Sequence, residues 1–169
     1  MAELSLDSPF PNNQSWTLYF HDTENKKWTL DTFLKVTTVG TWRSLFHLID
    51  TIDYDLWQRG MFFWMLDPIP PLWENFANIR GGNYSMRINQ KDILDVFTKY
   101  MIASVTGEAT SQKDNLIHGV AMTPKKGFYV IKIWNKDSTK FNNADDLVVL
   151  DKCIKPGEVI YTPFVEKRM

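Results

Sequence analysis

Cysteine is nearly absent: Cys153 is the single one in 169 residues. A lone thiol closes no intrachain disulfide and builds no Cys-based zinc site. It fits a reducing compartment, so a cytoplasmic location is expected. Histidine is scarce too. His21, His47 and His118 stand far apart, with no His-x-x-x-His or His-x-His pair, so no metal site is expected. No apolar run reaches the roughly 18 residues of a transmembrane helix, so no membrane association is expected. The opening Met-Ala-Glu-Leu-Ser-Leu-Asp lacks the apolar core of a secretory signal. A basic excess is missing as well, with 19 Lys plus Arg against 20 Asp plus Glu and a net charge of -1. Proteins that coat long phosphate backbones carry such an excess. A small phosphate-bearing ligand needs only a few local lysines. Glycine-rich phosphate loops and Gly-x-Ser-x-Gly do not occur. Cys153 beside Lys152 reads as a half-buried small residue, and Asp53 and Asp55 as a solvated loop. No catalytic constellation remains, so neither enzyme activity nor a cofactor is expected.

Aromatic residues are abundant at 14%, with 7 Trp, 6 Tyr and 11 Phe. Seven indoles exceed the needs of a core this size, so some are expected at the surface as platforms for a flat ligand or a partner. Residues 1–14 show little periodicity and read as a flexible N-terminal tail before a single domain over 15–169. Trp16, Leu18 and Phe20 alternate with Thr17, Tyr19 and His21, which predicts a strand. A second strand is expected over 33–37. Val39, Trp42, Leu45, Phe46 and Ile49 fall at helical spacing, predicting a helix over 38–50 capped by Thr37 or Thr38. Residues 51–72 read as irregular, with Pro68, Pro70 and Pro71 excluding a helix or central strand at that end. A strand over 83–88 and a helix over 92–105 stopped by Gly107 follow. Strands are expected over 117–123, 128–134 and 159–164, with 142–151 a weak helix or strand. The fold class is α+β: one largely antiparallel sheet with helices on one face.

Three indoles share a pattern. Trp28 follows a polar turn, Trp73 follows the proline-stiffened stretch, and Trp134 ends a strand. Two indoles on stiff loops can sandwich a flat ring, with a cation–π gain of about 1–2 kcal/mol per face if the ring is charged and desolvated. Glu74, next to Trp73, can accept two N–H donors from one edge of a guanine. Residues 119–140 hold Lys125, Lys126, Lys132, Lys136 and Lys140 against Asp137 alone. Lys132 and Trp134 share one face of a strand, so charge and indole are presented together.

The ordered pieces Trp16-Thr-Leu-Tyr-Phe, Lys27-Trp28, Thr38-Val39, Pro71-Leu72-Trp73-Glu74-Asn75, Arg80-Gly81-Gly82, Gly107-Glu108 and Ile131-Lys-Ile-Trp134 resemble the eukaryotic translation initiation factor 4E family. Each piece is weak alone; their order and separations are specific. The resemblance implies a curved sheet with helices on its convex face and a slot for the 7-methylguanosine cap of mRNA on its concave face. It implies that Trp28 and Trp73 sandwich the methylated guanine and that Glu74 accepts from its N1 and N2 protons. Trp134 would pack near the N7-methyl group. Lys125 and Lys126 fall near the family's phosphate-binding basic residues. The further basic position falls at Val130, so Lys132, on the same face, is expected to take over.

The family also binds a scaffold, initiation factor 4G, or a 4E-binding protein, on its helical face. Val39, Trp42, Arg43 and Pro9 (with Phe10) fall at or beside the positions this implies. Arg43 stands where the family has Trp, and the adjacent Trp42 lies about 100° around the helix. Lys99 and Ala103 fall near family leucines. These departures mark a divergent member and leave two readings open: a factor that brings capped mRNA into translation initiation, or a cap-binding regulator or decoy that does not engage the scaffold.

Overall fold

A computed structural model describes residues 5–165, apart from the side chain of Tyr54. Seven strands form one curved antiparallel sheet: β1 (Trp16–Asp22), β2 (Leu34–Val39), β3 (Gly60–Leu66), β4 (Gly82–Asn89), β5 (Ile117–Pro124), β6 (Phe128–Asn135) and β7 (Ile160–Pro163). Their order across the sheet is β2-β1-β3-β5-β6-β4-β7. Three helices complete the fold: α1 (Trp42–Thr51), α2 (Tyr54–Arg59) and α3 (Ile93–Thr106). None of the described helices is long and apolar enough to cross a membrane.

Strand alternation divides the side chains between two faces. Trp16 and Leu18 of β1, Phe62 and Trp64 of β3, Val120 and Met122 of β5, and Ile131 and Ile133 of β6 join the core beneath the helices. The intervening Phe63, Met65, Ala121 and Trp134 form a smaller apolar cluster on the opposite face, together with Phe33. Among the described residues, none that packs in that second cluster belongs to α1, α2 or α3. The cluster is the floor on which the candidate site stands.

Helix α1 begins later than its apolar spacing predicts. Thr37 and Thr38 lie inside β2, where Thr38 Oγ1 meets Thr17 Oγ1 across the strands at 2.8 Å. The cap is Thr41: its side chain accepts from the Ser44 amide, and the Ser44 hydroxyl reciprocates at the Thr41 backbone. Val39 therefore ends a strand instead of opening a helix. Helix α3 stops as expected at Gly107, whose φ of 78° places it in the left-handed region.

The stretch read as irregular contains α2 and the strand β3. The Gly-Met-Phe-Phe-Trp-Met-Leu run of β3 is covered on both faces, so it shows no polar alternation. It pairs with β1 and β5 near the middle of the sheet. The three prolines lie beyond it. Residues 142–151 contain no α-helix or strand; a short 3-10 helix spans Ala144–Asp146, and Leu147 bridges to Thr110.

Residues 5–14, read as tail, lie against the domain. Phe10 is buried and meets Trp42 edge-on at 5.0 Å. The Trp42 and Arg43 amides donate to the Ser8 and Leu6 carbonyls at 3.4 and 2.7 Å, satisfying two otherwise free donors of the first turn of α1. The core thus begins before residue 15. Residues 1–4 and 166–169 lie outside the described residues.

Candidate functional site

Trp28 sits on the loop between β1 and β2. Polar side chains shape this loop: Asp22 accepts from the Glu24 amide at 2.9 Å, and Asn25 from the Lys27 amide at 3.0 Å. The indole is 47% exposed, a large apolar surface left in water. Its rear face rests on the ring of His21, with centroids 4.1 Å apart and planes 5° apart. Phe33 packs beside both rings.

Trp73 sits on the loop after β3 and is 42% exposed. Here the organiser is Asn78, fully buried. Its amide nitrogen donates to the carbonyls of Pro70 at 3.1 Å and Leu72 at 2.9 Å. Its Oδ1 accepts from His118 Nδ1 at 3.1 Å. Burial, and secondarily the charge of Lys136, push His118 down to about 4, opposed by a hydrogen bond to the Ala77 backbone. His118 is therefore a neutral brace at ordinary pH. Phe164, just after β7, stacks on Trp73 at 6.2 Å and meets Trp134 edge-on at 5.1 Å.

Both exposed indoles line one cavity of about 380 Å³, together with Glu74, Trp134, Lys125 and Lys132. Trp134 is 6% exposed and forms part of the floor against Phe63. Its Nε1–H is buried without a partner, so it is an unused donor. Lys132 is an exposed residue, yet the slot desolvates its ammonium and pulls its pKa below the ordinary lysine value, with Lys125 contributing less. Two like charges are thus held near one another. Among the described residues the ion pairs are Arg43–Asp7 and Lys99–Asp151, neither of them in the slot, so no carboxylate neutralises this pair of lysines. Glu74 stands exposed at the rim, its carboxylate also outside those ion pairs.

One cavity brings together Trp28, Trp73, Glu74, Trp134, Lys125 and Lys132, all singled out in the sequence. Lys126 is exposed on the turn and is not among the lining residues. Four supporting residues escaped the sequence reading: His21, Asn78, His118 and Phe164. Asn78, three residues before Gly81, and the two histidines carried no motif; only their buried positions in the fold reveal them.

The helical face departs from the sequence expectation in detail. Val39 is 6% exposed and belongs to the core, so it offers a partner little surface. Trp42 is half-buried against Phe10, and Pro9 is exposed and bridges to Thr41. Arg43 is held by Asp7, with Nε 2.6 Å from the carboxylate. Lys99 is paired with Asp151 at 2.7 Å, and Ala103 is buried.

Sheet and slot together define a class: a one-sheet α+β protein with helices on one face and an aromatic slot with lysines in its lining on the other. The chain belongs to the eukaryotic initiation factor 4E family, whose sequence pattern matches residues 11–157. It is 28% identical over 156 residues to eukaryotic translation initiation factor 4E-2 of Schizosaccharomyces pombe, covering 89% of this chain and 61% of that protein. Against the Saccharomyces cerevisiae factor 4E it is 27% identical over 142 residues, covering 80% and 66%. The chain therefore spans somewhat under two thirds of these two relatives. Among solved structures, Ascaris suum eIF4E-3 with an m7G cap superposes with a TM-score of 0.67 at 17% identity, over 79% of this chain and 76% of that one. Caenorhabditis elegans eIF4E-3, in complex with the 4E-binding protein Mextli and a cap analog, gives 0.67 at 18%, over 78% and 76%. At those identities the likeness is one of fold.

Proposed function

We propose that this chain binds the 7-methylguanosine cap of mRNA and acts in translation initiation as a non-enzymatic, cytoplasmic factor. The observation that carries this reading is the pair of exposed indoles, Trp28 and Trp73, facing one cavity with a free carboxylate and two unneutralised lysines. N7-methylation makes guanine a cation. A cation between two indole faces gains about 1–2 kcal/mol per face once desolvated. Glu74 accepts from the guanine N1 and N2 protons, and the Trp73 backbone N–H reaches the carbonyl on the same edge. Trp134 packs near the methyl group. Lys125 and Lys132 hold the phosphates as point charges, with Lys126 on the adjoining turn.

Titration with 7-methyl-GTP and with GTP, followed by tryptophan fluorescence, tests the reading. Strong quenching by the methylated nucleotide alone is expected; equal responses to both would refute a charged-ring sandwich. Lys125→Ala and Lys132→Ala are each expected to weaken 7-methyl-GTP by about tenfold, the worth of a charged hydrogen bond, and to leave the bare methylated nucleoside nearly unaffected. Equal losses for nucleotide and nucleoside would remove the phosphate assignment.

On the helical face a factor 4G-like scaffold or a 4E-binding protein is the partner the family affiliation favours, contacting Pro9, Trp42, Arg43 and the fringe of Val39. A second reading, a cap-binding regulator or decoy that does not engage the scaffold, is favoured by the Asp7–Arg43 pair standing where an apolar contact is needed. A pull-down with a Tyr-x-x-x-x-Leu-φ peptide separates them: strong capture removes the decoy reading.

A further inference from the structure

Sandwiching a ring requires more than two indoles; each must already point the right way. The loop around Trp28 is exposed at every residue from Asp22 to Asp31 and has little regular structure. Its buried anchor is His21, at the end of β1, beside the Thr32 hydroxyl, which donates to the Lys27 carbonyl at 3.1 Å and the Thr29 carbonyl at 2.7 Å. The His21 Nε2 lies 2.8 Å from the carbonyl oxygen of Lys27, the residue immediately before Trp28, and 3.1 Å from Thr32 Oγ1. Its Nδ1 lies 2.9 Å from the Asp22 carbonyl oxygen. The same ring lies flat against the rear of the Trp28 indole. Phe33 touches both rings and packs edge-on against Phe63 of the slot floor at 5.2 Å. One side chain thus grips the backbone beside the indole, sets the plane of the indole, and ties both to the floor.

We propose that His21 is the positioning residue of Trp28, holding the exposed indole in its stacking orientation before ligand arrives. This rests on the reading that Trp28 stacks the methylated guanine. A phenyl ring at position 21 would still stack on the indole, but it could not hold the Lys27 carbonyl. The loop would then sample orientations in which the sandwich is open. Apparent affinity falls by the fraction of molecules left competent, and the ligand contacts of the competent state are unchanged. The loss therefore belongs to the association rate, whereas loss of a ligand contact appears mainly in the dissociation rate.

Stopped-flow tryptophan fluorescence with 7-methyl-GTP tests this on His21→Phe, His21→Gln, Thr32→Val and Trp28→Ala, with the melting temperature of each as control. His21→Phe is expected to lower the association rate constant about fivefold and leave the dissociation rate constant within about twofold. Thr32→Val removes the hydroxyl beside His21 Nε2 and the Lys27 carbonyl without opening the core. That hydroxyl also donates to the Lys27 and Thr29 carbonyls at 3.1 and 2.7 Å, so its effect on the association rate belongs to the tether as a whole. His21→Gln, which gives up the flat ring, is expected to lower the association rate as His21→Phe does and carries the test if His21→Phe does not fold. Wild-type rate constants in the folded His21 variants, or a loss carried by the dissociation rate, overturn the proposal. Trp28→Ala keeping wild-type affinity overturns the stacking reading and this proposal with it. Trp28→Ala losing affinity while the His21 variants keep theirs overturns this proposal alone.

Discussion

Glu74→Ala is expected to weaken 7-methyl-GTP binding by about 30-fold or more, from a loss of roughly 2–4 kcal/mol. The reasoning starts from what the carboxylate does in the free protein. Glu74 is exposed at the slot rim, outside the two ion pairs of the described residues, so no protein group depends on it. Its removal therefore leaves folding nearly untouched, and the melting temperature is expected to stay within a degree or two, as for surface substitutions generally. The ligand is another matter. Guanine presents two N–H donors on one edge, and both need acceptors once the ring is clamped between indoles. Alanine leaves both unpaired by the protein, and the charge-assisted character of the lost bonds raises the cost. Glu74→Gln retains one acceptor oxygen without the charge, so it is expected to fall between. Fluorescence titration of the three proteins against 7-methyl-GTP decides the matter. An alanine variant within twofold of wild type would show that the guanine edge is read elsewhere.

Acid is expected to destabilise the fold through His118, by about 2–3 kcal/mol between pH 7 and pH 4.5. The folded protein holds this imidazole down to about 4, against an ordinary value of 6.5. A group whose proton is disfavoured by folding contributes its full stability above its unfolded value. That stability is lost as pH falls from 6.5 through 4, because the unfolded chain takes up the proton first. The cause is burial, followed by repulsion from Lys136. The consequence reaches the site, because His118 donates to Asn78, and Asn78 holds the carbonyls of Pro70 and Leu72 ahead of Trp73. Urea unfolding of wild type and His118→Gln at both pH values tests this. The variant is expected to be less stable at pH 7 and to have the flatter pH dependence. Parallel slopes in the two proteins would remove His118 as the source. Asp151, whose pKa is lowered chiefly by its hydrogen bond with Lys99, adds an acid-labile contribution common to both proteins.

The two loops use the same device. Each exposed indole stands on a segment with little regular structure, and each segment is tied from behind by a buried polar side chain bonded to the backbone carbonyl just before the tryptophan. For Trp28 that carbonyl is Lys27 and the side chain is His21; for Trp73 it is Leu72 and Asn78. Buried hydrogen bonds to backbone cost little entropy at the moment of binding, since they are already made. A preformed slot binds without first ordering its walls.

The sequence by itself determined the side-chain chemistry of the proposed slot. Indoles, a carboxylate and lysines in that order are local identities, and strand alternation alone puts Lys132 and Trp134 on one face. It also determined the antiparallel α+β class, the stop of α3 at Gly107, and every strand of the sheet except β3. Only the tertiary structure decided β3, because a strand covered on both faces shows no periodicity and its neighbours are distant in sequence. The start of α1 was likewise decided there: Val39 fits a helical stripe equally well, and the Thr41–Ser44 capping box with the Leu6 and Ser8 carbonyls settled the boundary. The packing of Phe10 against Trp42 and the braces of His21, Asn78, His118 and Phe164 belong to the same class. A buried polar residue becomes a brace through which carbonyl it faces, and that is fixed by chain crossings between segments far apart in sequence.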